Sequence, residues 1–108
     1  MNLEQIAEEI GISADSLRSM YRSFLENTKR DLKEIEAASE NGDLEALRSH
    51  AHHIKGAANN LELTELGETA KELEYAAKNE ESGKIASLKK KIVSAFRMQE
   101  QKIKGMLA

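Results

Sequence analysis

The chain has 108 residues and a formal net charge of −3, with 40% hydrophobic, 32% charged and 4% aromatic residues and neither proline nor cysteine. A chain of this length is expected to form one domain, 1–108, with an ordinary core, and a composition without the main helix breaker predicts an all-α fold. The absence of cysteine excludes disulfides, thiolate chemistry and cysteine-based zinc sites, and it suits a cytoplasmic protein.

The start of the chain has none of the features of a targeting segment. Residues 1–10 hold three glutamates and no basic residue or long apolar run, so they do not resemble a signal peptide. No stretch approaches the roughly 20 apolar residues that a membrane-spanning helix needs. We therefore expect no membrane association.

The first two predicted helices precede Asn41–Gly42. A short helix over about 3–10 is expected to pack across one end of the fold through Leu3, Ile6 and Ile10, and Gly11 ends it. Ser13 can cap a second helix over about 14–40, which Asn41–Gly42 ends in the manner of a glycine cap. The predicted inner stripe of this helix consists of Leu17, Met20, Tyr21, Phe24, Leu25, Thr28, Leu32 and Ile35.

Three further helices follow with the same periodicity. Asp43 starts the third over 44–61, Thr64 is expected to cap the fourth, and Ser82–Gly83 separates it from a fifth over about 84–106. The predicted buried positions are Leu44, Leu47, Ala51, Ile54, Ala58, Leu61, Leu66, Ala70, Leu73, Ala77, Ile85, Leu88, Ile92, Phe96, Ile103 and Met106. Short connections favour antiparallel neighbours, so we predict an up-and-down antiparallel four-helix bundle over about 14–106, with the short N-terminal helix added to it.

Charge is unevenly distributed between the last two helices. Residues 62–81 hold seven glutamates, whereas residues 84–104 hold seven basic residues against Glu100. Two adjacent helices of opposite charge are the favoured interpretation. A nucleic-acid role for the basic segment is the alternative, but only Phe96 is interleaved with its basic residues, at a core spacing, so no nucleic-acid partner is expected.

The third helix carries chemistry on its polar face. At about 100° per residue, Arg48, Ser49, His52, Lys55, Gly56 and Asn59 lie opposite the apolar stripe. Positions i, i+3 and i+4 are neighbours on a helix surface. His52, Lys55 and Gly56 therefore combine an imidazole, a positive charge and a missing side chain in one patch.

Such a patch suits a phosphoryl group delivered by a second protein. Phosphoryl transfer needs an in-line nucleophile, space for the phosphate and positive charge for its oxygens. Neutral imidazole is available near pH 7, Lys55 can supply the charge, and Arg48 either adds a second charge or is simply solvated. A glycine in the middle of a helix lowers stability by roughly 0.5–1 kcal/mol relative to alanine, so a reason for Gly56 is expected. Tight packing against a neighbouring helix is not favoured as that reason, because Gly56 lies off the core stripe.

The run from Ala51 to Leu61, AHHIKGAANNL, resembles the signature of histidine-containing phosphotransfer (HPt) domains of multistep two-component relays, in which H-x-x-K-G is followed by small residues and N-L-G. The pattern of the following helix agrees through Leu66, Ala70, Leu73, Glu74 and Ala77. The resemblance implies a four-helix bundle with an exposed phosphorylated histidine. Its register selects His52, because this residue precedes Lys55 by three.

The resemblance also assigns neighbouring roles. Glu74 matches a polar residue that hydrogen-bonds the active imidazole, which would fix the tautomer and leave Nε2 free; a surface glutamate paired with Lys71 or Lys78 is the alternative. We expect His53 on the flank of the helix and His50 as a half-buried packing residue. The candidate docking residues for a partner are Arg48, Ser49, Ala57, Asn59 and Asn60.

The implied function is that of a phosphorelay intermediate, a carrier rather than an enzyme. The expected partners are response-regulator receiver domains and a hybrid sensor histidine kinase. The chain has no ATP-binding motif, Gly-rich phosphate loop or acidic magnesium cluster, so no cofactor is expected on it, and Mg²⁺ would belong to the receiver. We expect a monomer and a free-standing shuttle, although a domain excised from a hybrid kinase would look the same.

One departure and several alternatives stay open. Glu62 stands at the glycine of N-L-G, so the turn after Leu61 is expected to be built differently, with a longer helix. A non-phosphorylated helical interaction module is a different class of function, and a chemotaxis-kinase-type phosphoacceptor domain is a variant of the first. His50 and His53 have the spacing of a metal pair, but no acidic or cysteine ligand lies near them in sequence, so no metal site is predicted.

Overall fold

The computed structural model describes residues 2–108, and this range contains five α-helices and no strand. The helices are α1 (Leu3–Ile10), α2 (Ala14–Asn41), α3 (Leu44–Asn60), α4 (Thr64–Lys78) and α5 (Ser82–Leu107). The predicted all-α class is confirmed.

The four longer helices form a bundle, and the described residues together are elongated, with extents of about 43 × 19 × 18 Å. α2 packs against α3 and α5, α4 packs against the same two helices, and α1 packs on α2. Connections of two or three residues join the four helices, which makes consecutive helices antiparallel neighbours. The outer face of α3 therefore runs along the side of the bundle, parallel to its long axis.

A continuous apolar core fills the space between the helices. Its largest fully buried apolar side chains are Leu3, Leu17, Leu47, Ile54, Leu66, Leu73, Ile92 and Ile103. Two predicted core residues are instead exposed: Met20 by 46% and Ile10 by 56%. Met20 borders Asn60 and Leu61, where α3 ends and leaves it uncovered. Ile10 is the last residue of α1, and Ile12 packs against the core in its place.

The ends of α1 to α4 share one backbone motif. A left-handed residue lies one or two positions beyond each of these helices, with φ of 78° at Gly11, 68° at Gly42, 58° at Glu62 and 55° at Glu80. The next amide donates back to the helix; the Leu63 N–H, for example, bonds to the Ala58 carbonyl at 2.9 Å. Thus α3 ends at Asn60, and the expectation of a longer helix is wrong, because Glu62 adopts the conformation that glycine would supply.

Two of the predicted N-terminal helix caps are confirmed, whereas a third cap and one predicted break are wrong. The side chains of Ser13 and Asp43 accept from the amides of Ser16 and Ala46, both at 3.0 Å, as expected of caps. Thr64 is not a cap, because Leu63 occupies that position while its side chain packs on the core. Ser82–Gly83 is not a break either. The turn is formed earlier, around the left-handed Glu80, so Ser82 opens α5.

The charged helices meet through scattered ion pairs. Lys91 on α5 lies 3.6 Å from Glu72 on α4, between Nζ and Oε1, whereas Lys89 pairs with Glu36 on α2. The basic residues of α5 thus pair with both neighbouring helices. Within the described residues, no helix combines the length and the apolar character that a bilayer-spanning segment requires.

Candidate functional site

The outer face of α3 presents His52, Lys55 and Gly56 together. The opposite face of the helix is completely buried, and this fixes the rotation of α3 about its axis. The buried residues are Leu47, Ala51, Ile54 and Ala58. The His52 side chain is 61% exposed, and that of Lys55 is 27% exposed. A Cβ placed on Gly56 would meet no atom of residues 2–108 within 4 Å, so packing within this range does not require the glycine.

Glu74 on α4 connects two of these residues. Its Oε1 and Oε2 lie 2.9 and 3.1 Å from Nδ1 of His52. Lys55 Nζ donates to the same two oxygens, at 3.1 and 3.0 Å. The Glu74 side chain is only 14% exposed, because it lies between the two helices. The alternative of a surface glutamate paired with Lys71 or Lys78 does not hold in the described range.

The geometry selects one tautomer of His52. An ionised carboxylate only accepts hydrogen bonds, so Nδ1 carries the proton and donates a hydrogen bond to Glu74. In the neutral imidazole Nε2 is then the nitrogen with the free lone pair, and within residues 2–108 it has no hydrogen-bond partner. Burial raises the pKa of Glu74, but the hydrogen bonds from His52 and Lys55 outweigh it and hold that pKa below its ordinary value. The carboxylate therefore stays ionised at neutral pH.

The predicted docking residues divide between the two flanks of α3. Arg48 is half-buried and pairs with Glu45 on its own helix, while Ser49 is exposed. The exposed Asn59 lies on the α4 side. Ala57 and Asn60 lie on the α2 side. Consequently Asn59 lies on one side of the histidine face, and Ala57 and Asn60 lie on the other.

A shallow groove between α2 and α3 lies beside the histidine face. Ala57 and Asn60 line it together with Ser19, Met20, Ser23, Phe24, Asn27 and Leu61. Sequence analysis missed the α2 side of this groove, because Met20 occupies a position with core spacing and is therefore predicted to be buried. Only the position at which α3 ends leaves its side chain exposed.

Gly67 is a second residue that sequence analysis missed. It is buried in α4, and a Cβ on it would come within 2.3 Å of Oδ1 of Asn59. The missing side chain lets α4 approach α3 closely at the end of α3. No periodicity distinguishes this glycine from an ordinary helix position, since its reason lies on another helix.

His50 and His53 lie on the α2 flank with Asp31. His50 is half-buried, as predicted, and its Nδ1 lies 2.8 Å from Oδ1 of Asp31. Nδ1 of the exposed His53 lies 3.7 Å from the same oxygen. Asp31 precedes His50 by 19 residues on another helix, and the sequence therefore gave no sign of a carboxylate here.

The chain matches a known protein family. The family model described as "Hpt domain" matches residues 19–101, which is most of the chain and includes the whole of α3 and α4. Comparisons with curated proteins and with solved structures gave no significant match. The matched range, the helical bundle and the exposed histidine motif agree with one another, and the chain belongs to the Hpt domain family, the histidine phosphotransfer domains of two-component phosphorelays.

Proposed function

We propose that the protein carries a phosphoryl group on Nε2 of His52 between the aspartates of receiver domains. One observation carries the proposal: Glu74 holds Nδ1 of His52, while Nε2 is exposed beside the bare helix surface at Gly56. Membership of the Hpt family supports the class of reaction. The choice of His52 rests on its register with Lys55 and on this geometry.

The proposed step is a direct transfer between two side chains. The Nε2 lone pair attacks the phosphorus of a receiver phosphoaspartate, a P–N bond forms, and the P–O bond to the aspartate breaks. The aspartate leaves as a carboxylate with the electron pair of that bond. The reverse reaction with a second receiver regenerates neutral His52. Nδ1 keeps its proton throughout, because Glu74 accepts it in a hydrogen bond.

Lys55 and Gly56 act on the group that is transferred. The Lys55 ammonium is held on Glu74 at 3.0 Å before phosphorylation, one turn from His52. Once His52 bears the phosphoryl group, this positive charge is available to its oxygens as well. Gly56 leaves space for the receiver's aspartate to approach in line with Nε2. The carrier needs no ATP site, and Mg²⁺ is contributed by the receiver.

The proposed docking surface surrounds His52 and extends over the groove between α2 and α3. Ser49, Ala57, Asn59 and Asn60 belong to it, and Arg48 lies at its edge. The apolar part is supplied mainly by the exposed Met20 and the half-buried Leu61. A small apolar contact with a polar rim is typical of transient signalling complexes. We propose receiver domains and a hybrid sensor kinase as partners of a monomeric, cytoplasmic carrier.

The test is transfer of label from radiolabelled phosphorylated receiver domains to the protein. The wild type is compared with His52→Gln and with the matched control His53→Gln, which removes the adjacent exposed histidine. We expect rapid, acid-labile and base-stable labelling of the wild type and of His53→Gln, and none of His52→Gln. Circular dichroism checks that all three chains are folded.

Two results would overturn the proposal. Equal labelling of His52→Gln would move the phosphoacceptor to another residue. A folded wild type that takes no label from a panel of receivers, but still binds one of them, would identify a non-phosphorylated interaction module.

A further inference from the structure

A second cluster of potential ligands lies on the opposite flank of α3 from Glu74. Asp31 of α2, His50 and His53 each offer one potential ligand atom, and these atoms all lie within 4.8 Å of one another. The two imidazole rings are T-shaped, with centroids 5.8 Å apart. No step of the proposed phosphoryl transfer uses this cluster.

The distances suit a transition-metal ion. Four ligands at about 2.0–2.1 Å from a tetrahedral Zn²⁺ lie roughly 3.3 Å from one another. Oδ1 of Asp31 lies 2.8 Å from Nδ1 of His50 and 3.7 Å from Nδ1 of His53, which brackets that spacing. The separation of the two imidazole nitrogens is within 4.8 Å, so side-chain rotations that bring all three atoms to about this spacing would place them around one ion.

The donor types narrow the choice of metal. Two imidazoles and one carboxylate are ligands of Zn²⁺ and its neighbours in the transition series, whereas Mg²⁺ and Ca²⁺ prefer oxygen donors alone. The Asp31 side chain is 18% exposed and that of His53 is 60% exposed, so an ion can enter from solvent on the His53 side. A fourth position would remain for water.

We propose that Asp31, His50 and His53 form a binding site for a divalent transition metal of the Zn²⁺ class. Asp31 supplies an acidic ligand, which is missing from the sequence around the two histidines. The ion would replace the hydrogen bond between Asp31 and Nδ1 of His50, which loses its proton on binding. The hydrogen bond between Glu74 and His52 would remain, because Glu74 comes from α4 and Asp31 from α2. The site would then join α2 to α3 next to the phosphoacceptor face.

Metal binding is measured with Zn²⁺ in competition with a chromophoric chelator, and with Co²⁺ by its visible absorption. We expect one equivalent of Zn²⁺ on the wild type. Asp31→Asn and His53→Gln should each bind about tenfold more weakly or worse, since even the loss of an outer partner of a metal ligand costs about 10–100-fold. The matched control is His52→Gln, which removes an exposed histidine outside the cluster and should bind like the wild type.

Histidine resonances in NMR spectra provide a second readout. Zn²⁺ should shift the imidazole signals of His50 and His53 and leave that of His52 in place. The proposal is overturned if the wild type binds no Zn²⁺, if Asp31→Asn binds as tightly as the wild type, or if His52→Gln loses as much affinity as His53→Gln. This experiment involves no receiver domain, so its outcome is independent of phosphoryl transfer.

Discussion

The Glu74 carboxylate on α4 accepts a hydrogen bond from Nδ1 of His52 on α3 at 2.9 Å, and Lys55 Nζ shares the same two oxygens. One nearly buried carboxylate thus orients the imidazole and holds the lysine one turn away. The packing of α4 against α3 sets the position of both groups. The site therefore depends on an interhelical contact as well as on the motif in α3.

Replacement of Gly56 by alanine should separate stability from function. No atom lies within 4 Å of the added Cβ, and alanine is the better helix former, so we expect the free energy of unfolding to rise by roughly 0.5–1 kcal/mol. The same methyl group would stand where a receiver must approach Nε2, so the transfer rate should fall roughly tenfold or more. Urea unfolding and single-turnover label transfer measure the two effects.

The matched control for that variant is Gly83→Ala on α5, where a Cβ also meets nothing within 4 Å. This variant should transfer phosphoryl groups at the wild-type rate. If Gly56→Ala also transfers at the wild-type rate, the glycine has no role in the approach of the receiver.

Replacement of Glu74 by glutamine should lower the transfer rate while the protein stays folded. Glutamine can still accept from Nδ1, but its own N–H groups and its lack of charge weaken the preference for one tautomer and release Lys55. We expect a decrease of roughly tenfold in single-turnover transfer, less than the roughly 10²–10⁴-fold of general acid–base catalysis, because Glu74 orients the imidazole and takes no proton from it. The nitrogen chemical shifts of His52 should show a larger share of the Nε2–H tautomer.

The matched control for Glu74→Gln is Glu72→Gln, which changes an exposed carboxylate on the same helix. It should leave both the rate and the tautomer unchanged. An unaltered tautomer in Glu74→Gln would show that the carboxylate does not orient the imidazole.

Stability should fall at acidic pH in a manner that depends on Glu74. Its pKa in the folded protein is lower than the ordinary value of 4.5, despite the opposing effect of burial. A group with a depressed folded pKa stabilises the protein above its unfolded pKa, and this contribution is lost as the pH falls through the folded value. The wild type should therefore lose stability below about pH 4.5.

Glu100 acts in the same direction, because the hydrogen bond from Lys29 lowers its pKa. The contribution of Glu74 is isolated by the difference between the wild type and Glu74→Gln in urea unfolding. This difference should shrink between pH 6 and pH 3 if the sign is correct. A difference that is independent of pH would contradict the depressed pKa.

Replacement of Glu62 by glycine should stabilise the protein. Glu62 has a φ of 58°, and a left-handed conformation costs an L-residue roughly 1–2 kcal/mol. Glycine removes that strain and returns roughly 0.5–1 kcal/mol of backbone entropy to the unfolded state. The expected net gain is about 0.5–1 kcal/mol, measured as a higher Tm.

Glu68→Gly is the opposite control, because Glu68 is exposed within α4 and glycine there should destabilise by roughly 0.5–1 kcal/mol. Destabilisation by Glu62→Gly as well would mean that the Glu62 side chain contributes more than its backbone conformation costs.

The sequence by itself determined the helical class, the order of the helices and the face of α3 that carries His52, Lys55 and Gly56. These features depend on local periodicity, and a buried stripe at helical spacing fixes the opposite face without knowledge of its neighbours. The Ser13 and Asp43 caps are likewise local, since each side chain bonds to an amide three residues away.

Only the tertiary structure decided which residues of the neighbouring helices lie against α3. Asp31 reaches His50 over 19 residues of sequence, Gly67 admits Asn59, and Met20 is exposed because α3 ends beside it. The left-handed Glu62 and Glu80 also escaped sequence analysis, because the chain must turn there to return its next apolar residues to the core. Each of these features depends on a distance between elements, and periodicity within one helix contains no information about such distances.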